Sequence, residues 1–377
     1  MKCFKIKHKD KETKARVGIL STRSGKIETP FFMPVATKTS VKHISTCDLH
    51  NMKANAVISN AFVLFLRPGT SLIKKMGGIA KFMGFKGIVF TDSGGFQMYS
   101  PRLYLGAKED GVIFRNPYTN EKIFITPEKD MEIQLDLGSD VAMCLDSMPL
   151  LSNSKEEIAE AVRKTSRWAR RCKMHHHNLQ EKIKEGKRQL LFGIIQGGIY
   201  DDLRKLSAKD IVSFDFDGYA IGGLALGEPK EDEYKMIEIA KSIIPEEKPI
   251  YLMGAGEPLE LLEAISRGCD IFDSRFPTQN ARRGAIFTSQ GRINIKAAKY
   301  KEDKNPIDKN CSCFVCKKYS RAYIRHLLLQ EEGAGMRLAT YHNLYYLQRL
   351  MEDARKAIKK GRFAEFVKNY KSKIKNN

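Results

Sequence analysis

Short apolar runs set between longer amphipathic segments restrict this chain more than any other feature. They are Phe31–Ala36, Ala56–Ser59, Gly87–Thr91, Val141–Leu145, Leu190–Ile195, Gly218–Ile221, Pro249–Met253 and Cys269–Phe272. Runs this apolar, with little polar alternation, suit strands buried on both faces of a parallel sheet. The segments between them, such as Ser154–Lys187, Lys230–Ile244 and Glu257–Ser266, carry apolar residues at helical spacing. Eight strands alternating with helices predict an α/β fold, a (β/α)8 TIM barrel. The rival is an open doubly wound sheet, but no GxGxxG loop follows the first strand to support it. Residues 1–29 read as a β-hairpin opening, with Arg16–Leu20 before a turn at Ser24-Gly25.

In such a barrel, function gathers where strands end at their C-terminal side. Those ends carry Asn60, Asp92-Ser93-Gly94-Gly95-Phe96-Gln97, Asp146, Gln196-Gly197-Gly198, Gly222-Gly223, Gly254 and Asp273. Each is ordinary alone, because strand ends are polar and glycine suits a sharp strand-to-loop turn. Together they describe a pocket with acid/base groups, amides and close backbone approach. Asp273 is followed by Arg275, Arg282 and Arg283, which suits chemistry on a polyanion.

Charge points the same way. There are 65 Lys and Arg against 44 Asp and Glu, a net charge of +21. An excess of that size favours a nucleic-acid partner over a small neutral one, unless the whole proteome is lysine-rich. From Met351 to Asn377, nine basic residues face three acidic ones. No segment has the length and apolarity of a membrane span, and charge rather than an apolar stretch follows Met1, so a cytoplasmic location with no membrane partner is expected.

Three of the eight cysteines sit within six residues: Cys311, Cys313 and Cys316. With His342 they form a Cys3His set suited to one closed, structural Zn2+. His326, on an expected helix Ser320–Gln330, competes for the fourth place; His342 is expected to open the next helix. His175-His176-His177 reads as an exposed helix end rather than a metal site. The expected division is 1–300 for the barrel, 301–350 for a zinc-binding subdomain, and 351–377 for a basic helix and tail completing the barrel.

Several of these stretches resemble one known family. TDSGGFQ (Thr91–Gln97), GIIQGG (Gly193–Gly198), FDGYAIGGLALGE (Phe216–Glu228), YLMGAG (Tyr251–Gly256), FDSRFPTQNARRG (Phe272–Gly284) and the CxCxxC…H set look like tRNA-guanine transglycosylase. Order and spacing agree from about Ala15 to about Tyr370. The resemblance implies a zinc-bearing barrel that replaces guanine at the wobble position of G-U-N anticodons with a 7-deazaguanine base. It implies that Asp273 attacks C1′ of the ribose and that Asp92 is the general acid/base. Asp146, Gln196 and the backbone of Gly223 and Leu224 would recognise the base, Phe96 and Met253 would sandwich it, and Glu228 would belong to the network sensing the 7-substituent. Arg275, Arg282 and Arg283 would meet RNA. The family generally works as a dimer, and a stripe of Tyr319, Tyr323 and His326 is a candidate contact.

The chain departs from the family pattern in places. Asn60-Ala61-Phe62-Val63-Leu64 stands for Asn-Thr-Tyr-His-Leu, and Asp146-Ser147-Met148-Pro149-Leu150 for Asp-Glu-Cys-Thr-Pro. Gln279 and Glu257 replace a usual arginine and a usual lysine, removing cations expected to touch RNA phosphate. Bulk at Met148 and Leu226 argues for a small substituent such as the aminomethyl group of the queuine precursor. Alternatives that keep the resemblance are exchange with queuine itself, exchange into DNA, or a non-catalytic tRNA-binding partner subunit. The presence of both Asp92 and Asp273 argues against the last.

Overall fold

The computed structural model describes residues 2–95, 100, 102–150 and 152–375. The N-terminal segment forms three antiparallel strands rather than a single hairpin: β1 (Phe4–Lys9), β2 (Arg16–Thr22) and β3 (Gly25–Glu28). Arg16 ties this sheet to the remainder of the chain, its guanidinium donating to both carboxylate oxygens of Asp270, at 3.0 and 2.5 Å. Both side chains are buried. Asp270 also accepts from the backbone N–H of Ile250 at 2.8 Å, so one ion pair joins the sheet to two later strands.

β4 (Phe31–Pro34), β5 (Ala56–Asn60) and β6 (Ile88–Asp92) begin the main sheet. A three-stranded excursion comes next: β7 (Tyr104–Lys108), β8 (Gly111–Arg115) and β9 (Lys122–Ile125). The main sheet resumes with β10 (Val141–Met143), β11 (Leu190–Ile195), β12 (Gly218–Ile221), β13 (Ile250–Leu252) and β14 (Ile271–Ser274). The spatial order is β4-β14-β13-β12-β11-β10-β6-β5, and the pairings within it are parallel. A parallel bridge between Val35 and Ile58 joins β4 to β5 and closes the ring. This is the expected (β/α)8 barrel, and all eight apolar runs became its strands. Its interior is packed with side chains: the Phe90 ring meets Phe31, Phe192 and Tyr251 edge-on, at 6.3, 5.9 and 6.3 Å between centroids.

The helices start where local chemistry allows. Ser154 and Glu157 form a reciprocal capping box at the head of Lys155–Leu179. Glu257 and Glu260 do the same for Pro258–Ser266. The histidine trio does lie at the end of Lys155–Leu179, but it is not uniformly exposed. His176 is buried between Gln180 and Gln189, with Nε2 3.1 Å from Gln189 Oε1, and burial pushes its pKa down to about 4.

After β14 come the helix Phe276–Arg283 and a hairpin, β15 (Ala285–Thr288) with β16 (Gly291–Asn294). Two short helices, Phe314–Lys318 and Arg321–Leu329, precede the long helix Gly333–Lys359 and the last, Phe363–Lys375. His342 sits in the middle of the long helix instead of opening it. That helix runs unbroken past residue 350 and packs on Phe276–Arg283 and β4, with Gln348 Nε2 donating to the Phe32 carbonyl at 3.0 Å.

Candidate active site and metal centre

Parallel strands deliver their C-terminal residues to one rim, and here the rim encloses a cavity of about 380 Å³. Asn60, Asp92, Asp146, Gln196, Gly222, Gly223, Gly254 and Asp273 all line it, so the strand ends singled out from sequence converge. Leu224, Met148, Leu226, Met253, Arg275, Phe276 and Tyr251 complete much of the wall. Phe96 and Gln97 lie outside the described residues.

Asp92 ends β6 directly opposite Asn60 of β5, and that register lets Asn60 Nδ2 donate to Asp92 Oδ1 at 2.7 Å. The backbone N–H of Gly94 donates to the same oxygen at 3.0 Å. Burial, and next the charge of Asp273, push the Asp92 pKa up to about 7. Asp273 lies one residue before the end of β14 and accepts from the Tyr251 hydroxyl at 2.5 Å and from Gly254 N–H at 3.1 Å. Burial raises its pKa, while Tyr251, Gly254 and the Arg275 charge pull it down. The two carboxyls are therefore held differently: three influences oppose the effect of burial on Asp273, whereas the Asp273 charge adds to burial in raising Asp92. Unequal neighbouring carboxyls are what an acid and a nucleophile require.

Asp146 accepts from Gln196 Nε2 at 2.7 Å and from Ser93 Oγ at 3.4 Å, and burial lifts its pKa to about 6. A Cβ at Gly95 would stand 2.2 Å from Asp146 Oδ1, so any larger residue there would have to displace that carboxylate. Among the described residues Gln196 Oε1 is buried without a hydrogen-bond partner, and the missing side chain of Gly223 leaves room beside it. Glu228 accepts from the backbone N–H groups of Ala225 and Leu226, at 2.6 and 2.9 Å, and so fixes the loop after β12.

A second cavity of about 630 Å³ adjoins the first, sharing Val35, Thr37, Arg275 and Gln279. Arg282, Lys38, Lys42 and His43 line it, and none of its lining residues is acidic. Arg283 is exposed and lines neither cavity. Glu257, the departure from the family's lysine, serves as a helix cap. Its carboxylate accepts from Leu259 and Glu260 N–H at 3.1 and 3.2 Å, at the head of a helix.

Tyr251 is the site residue that sequence reasoning overlooked. It was visible within YLMGAG, but a tyrosine inside an apolar strand reads as core. The available signal was alternation: Tyr251 and Met253 fall on the same side of the strand, and both line the cavity.

Away from this mouth, Cys311, Cys313, Cys316 and His342 bring their ligand atoms within 4.8 Å of one another. His342 Nδ1 lies 3.8, 3.5 and 3.3 Å from the three sulfurs, close to the roughly 3.5 Å edge of a tetrahedron built from usual Zn–N and Zn–S bonds. His342 Nε2 donates to the Phe287 carbonyl at 2.7 Å, which leaves Nδ1 with its lone pair for a metal. The donor set fits a metal ion, and His326 is not part of it.

The family model for queuine tRNA-ribosyltransferase matches residues 10–376. The chain belongs to that family. It is 47% identical over 367 residues to a protein named queuine tRNA-ribosyltransferase from Lysinibacillus sphaericus (strain C3-41), covering 97% of this chain and 94% of the relative. The protein of the same name from Staphylococcus aureus (strain JH9) is 47% identical over 360 residues, covering 96% and 93%. Membership in the queuine tRNA-ribosyltransferase family makes this chain a pentosyl-transferring enzyme. The tRNA-guanine transglycosylase resemblance carried by its motifs extends over nearly the whole chain. No helix among the described residues is long and apolar enough to cross a membrane.

Proposed function

We propose that the protein exchanges guanine at the wobble position of G-U-N tRNAs for a 7-deazaguanine base through a ribosyl ester on Asp273. The observation that carries this reading is the unequal pair at the cavity mouth: an Asp273 that accepts from Tyr251 and Gly254 beside a buried Asp92 with a pKa near 7. Asp273 attacks C1′ of the ribose while Asp92 gives its proton to the departing guanine; the incoming base then returns a proton to Asp92 as it displaces the ester. Two displacements at one carbon retain configuration. Asp146 accepts from the base's ring N–H and exocyclic amine, and Gln196 with the backbone of Gly223 and Leu224 completes its edge. Phe96 and Met253 cover its faces.

Met148 and Leu226 on the cavity wall support a small 7-substituent, the aminomethyl precursor rather than queuine. The cation-lined second cavity supports an RNA strand crossing the mouth, with Arg275 and Arg282 facing it and Arg283 outside. The metal is Zn2+, one per chain, with a structural role. The enzyme acts in the cytoplasm as a homodimer; Tyr319 and Tyr323, stacked at 5.5 Å with Tyr323 exposed, offer a contact surface.

Labelled guanine should enter unmodified G-U-N tRNA and then be chased irreversibly by aminomethyl-deazaguanine, but not by queuine. Chase by queuine would leave the chemistry standing and remove the steric argument from Met148 and Leu226. No incorporation into tRNA would overturn the reading.

A further inference from the structure

Tyr251 sits mid-strand in β13, paired with Ile271 of β14, and its ring is packed inside the barrel against Phe90. From there its hydroxyl reaches Asp273 Oδ1 at 2.5 Å, and Gly254 N–H reaches the same oxygen at 3.1 Å. Both donors meet Oδ1. Among the described residues Oδ2 receives no hydrogen bond, although Asp273 lines the cavity.

That asymmetry bears on both halves of the exchange proposed above, on which this inference rests. In the first half the Oδ2–C1′ bond forms as the C1′–N bond to guanine breaks; its electron pair leaves with guanine, which takes a proton from Asp92. Asp273 becomes a neutral ester, with Oδ1 as its carbonyl oxygen. In the second half the incoming base's nitrogen pair bonds to C1′, the Oδ2–C1′ pair returns to the carboxylate, and the base's proton passes to Asp92. A donor fixed on Oδ1 binds the anion more strongly than the ester carbonyl. It therefore restrains attack and assists departure.

We propose that Oδ2 is the attacking atom and that Tyr251 is a positioning residue that sets the balance between ribosyl ester and free carboxylate, favouring release. Burial and the neighbouring Asp273 charge push the phenol pKa well above its ordinary value, so Tyr251 remains a donor across the working pH range.

The test is the fraction of enzyme held as RNA adduct on denaturing gels without added base, and the rate at which guanine discharges it. Tyr251→Phe should raise the adduct fraction, slow discharge roughly tenfold or more, and move the acid limb of the pH profile upward. A residue that only filled space would lower adduct formation and discharge together. An adduct fraction equal to or below wild type overturns the assignment. If Tyr251→Phe does not fold, 3-fluorotyrosine at position 251, a stronger donor, should give less adduct and faster discharge; an unchanged or larger adduct fraction refutes the role. Wild-type enzyme that exchanges and forms adduct, with Asp273→Ala forming none, shows that the underlying function stands independently. Wild type that forms no adduct removes both.

Discussion

The Asp92 pKa near 7 makes the rate of exchange a direct report on one proton. Burial and the Asp273 charge both disfavour ionised Asp92, so its folded-state pKa lies above the usual carboxylate value and the proton is lost only as pH rises through about 7. In the proposed exchange, attack on tRNA requires that proton. At limiting tRNA the rate constant kcat/KM should therefore be level from the acid limb set by Asp273 up to about pH 7 and then fall tenfold per pH unit, to roughly one hundredth by about pH 9. Asn60→Ala removes a donor that favours the ionised form. A hydrogen bond to a charged group is worth about 1.5–3 kcal/mol, so the basic limb should move up by about one to two pH units. Asn60 also caps the helix Ala61–Leu66 through Val63 N–H, so a stability loss of about 1 kcal/mol should accompany the shift. The assay is initial-rate incorporation of labelled guanine from pH 5.5 to about 9.5, on folded protein checked at each pH. Asp92→Asn should lose roughly 10²–10⁴ in rate and have no limb near pH 7. A limb near pH 7 that survives Asp92→Asn, or that moves down in Asn60→Ala, would falsify the assignment of the proton.

Three other outcomes are expected. Arg16→Met leaves the Asp270 carboxylate buried and uncompensated, so urea unfolding should show a loss of about 3–5 kcal/mol; a loss below about 1 kcal/mol would deny the ion pair its anchoring role. Chelation, or Cys313→Ser, should lower the thermal midpoint and release one zinc per chain by elemental analysis, because the knuckle is held through His342 to the hairpin β15–β16. Gly95→Ala drives a methyl into Asp146 Oδ1 and should raise KM for the free base at least about tenfold while leaving the unfolding midpoint within about 2 °C; an unchanged base KM would separate Asp146 from base recognition.

The barrel was readable because strands covered on both faces are apolar throughout, and a run such as Leu190–Ile195 appears with the same bounds in sequence and structure. The excursion β7–β9 lacks that signature. Tyr104–Lys108 is half-buried to exposed, and its pairing slips at Gly106, so no two-residue alternation is left to detect. It is held instead by contacts remote in sequence, including Phe62 against Phe114 at 4.3 Å and the Trp168 indole donating to the Glu109 carbonyl at 2.7 Å. His342 differs from its expected place at a helix start because the long helix begins nine residues earlier, at Gly333, a residue that ordinarily marks the end of a helix.

The site divides along the same physical line. That Asp92, Asp146 and Asp273 meet follows from topology, since each lies at or just beyond the C-terminal end of a parallel strand on the same rim. What each does depends on register and on which oxygen a neighbour reaches, and neither is written in residue identity. Glu257 shows the difference. Set beside the family pattern it is a lost cation. Yet Glu257-Pro258-Leu259-Glu260 is also a capping sequence, and in the fold capping wins because the carboxylates of Glu257 and Glu260 satisfy N–H groups at the helix head that lack an intrahelical partner. Glu260 in turn accepts from Gly256 N–H at 2.9 Å, two residues after the Gly254 N–H that donates to Asp273. The capping pair thus helps hold the loop that carries Gly254, whose N–H meets the carboxylate proposed to react.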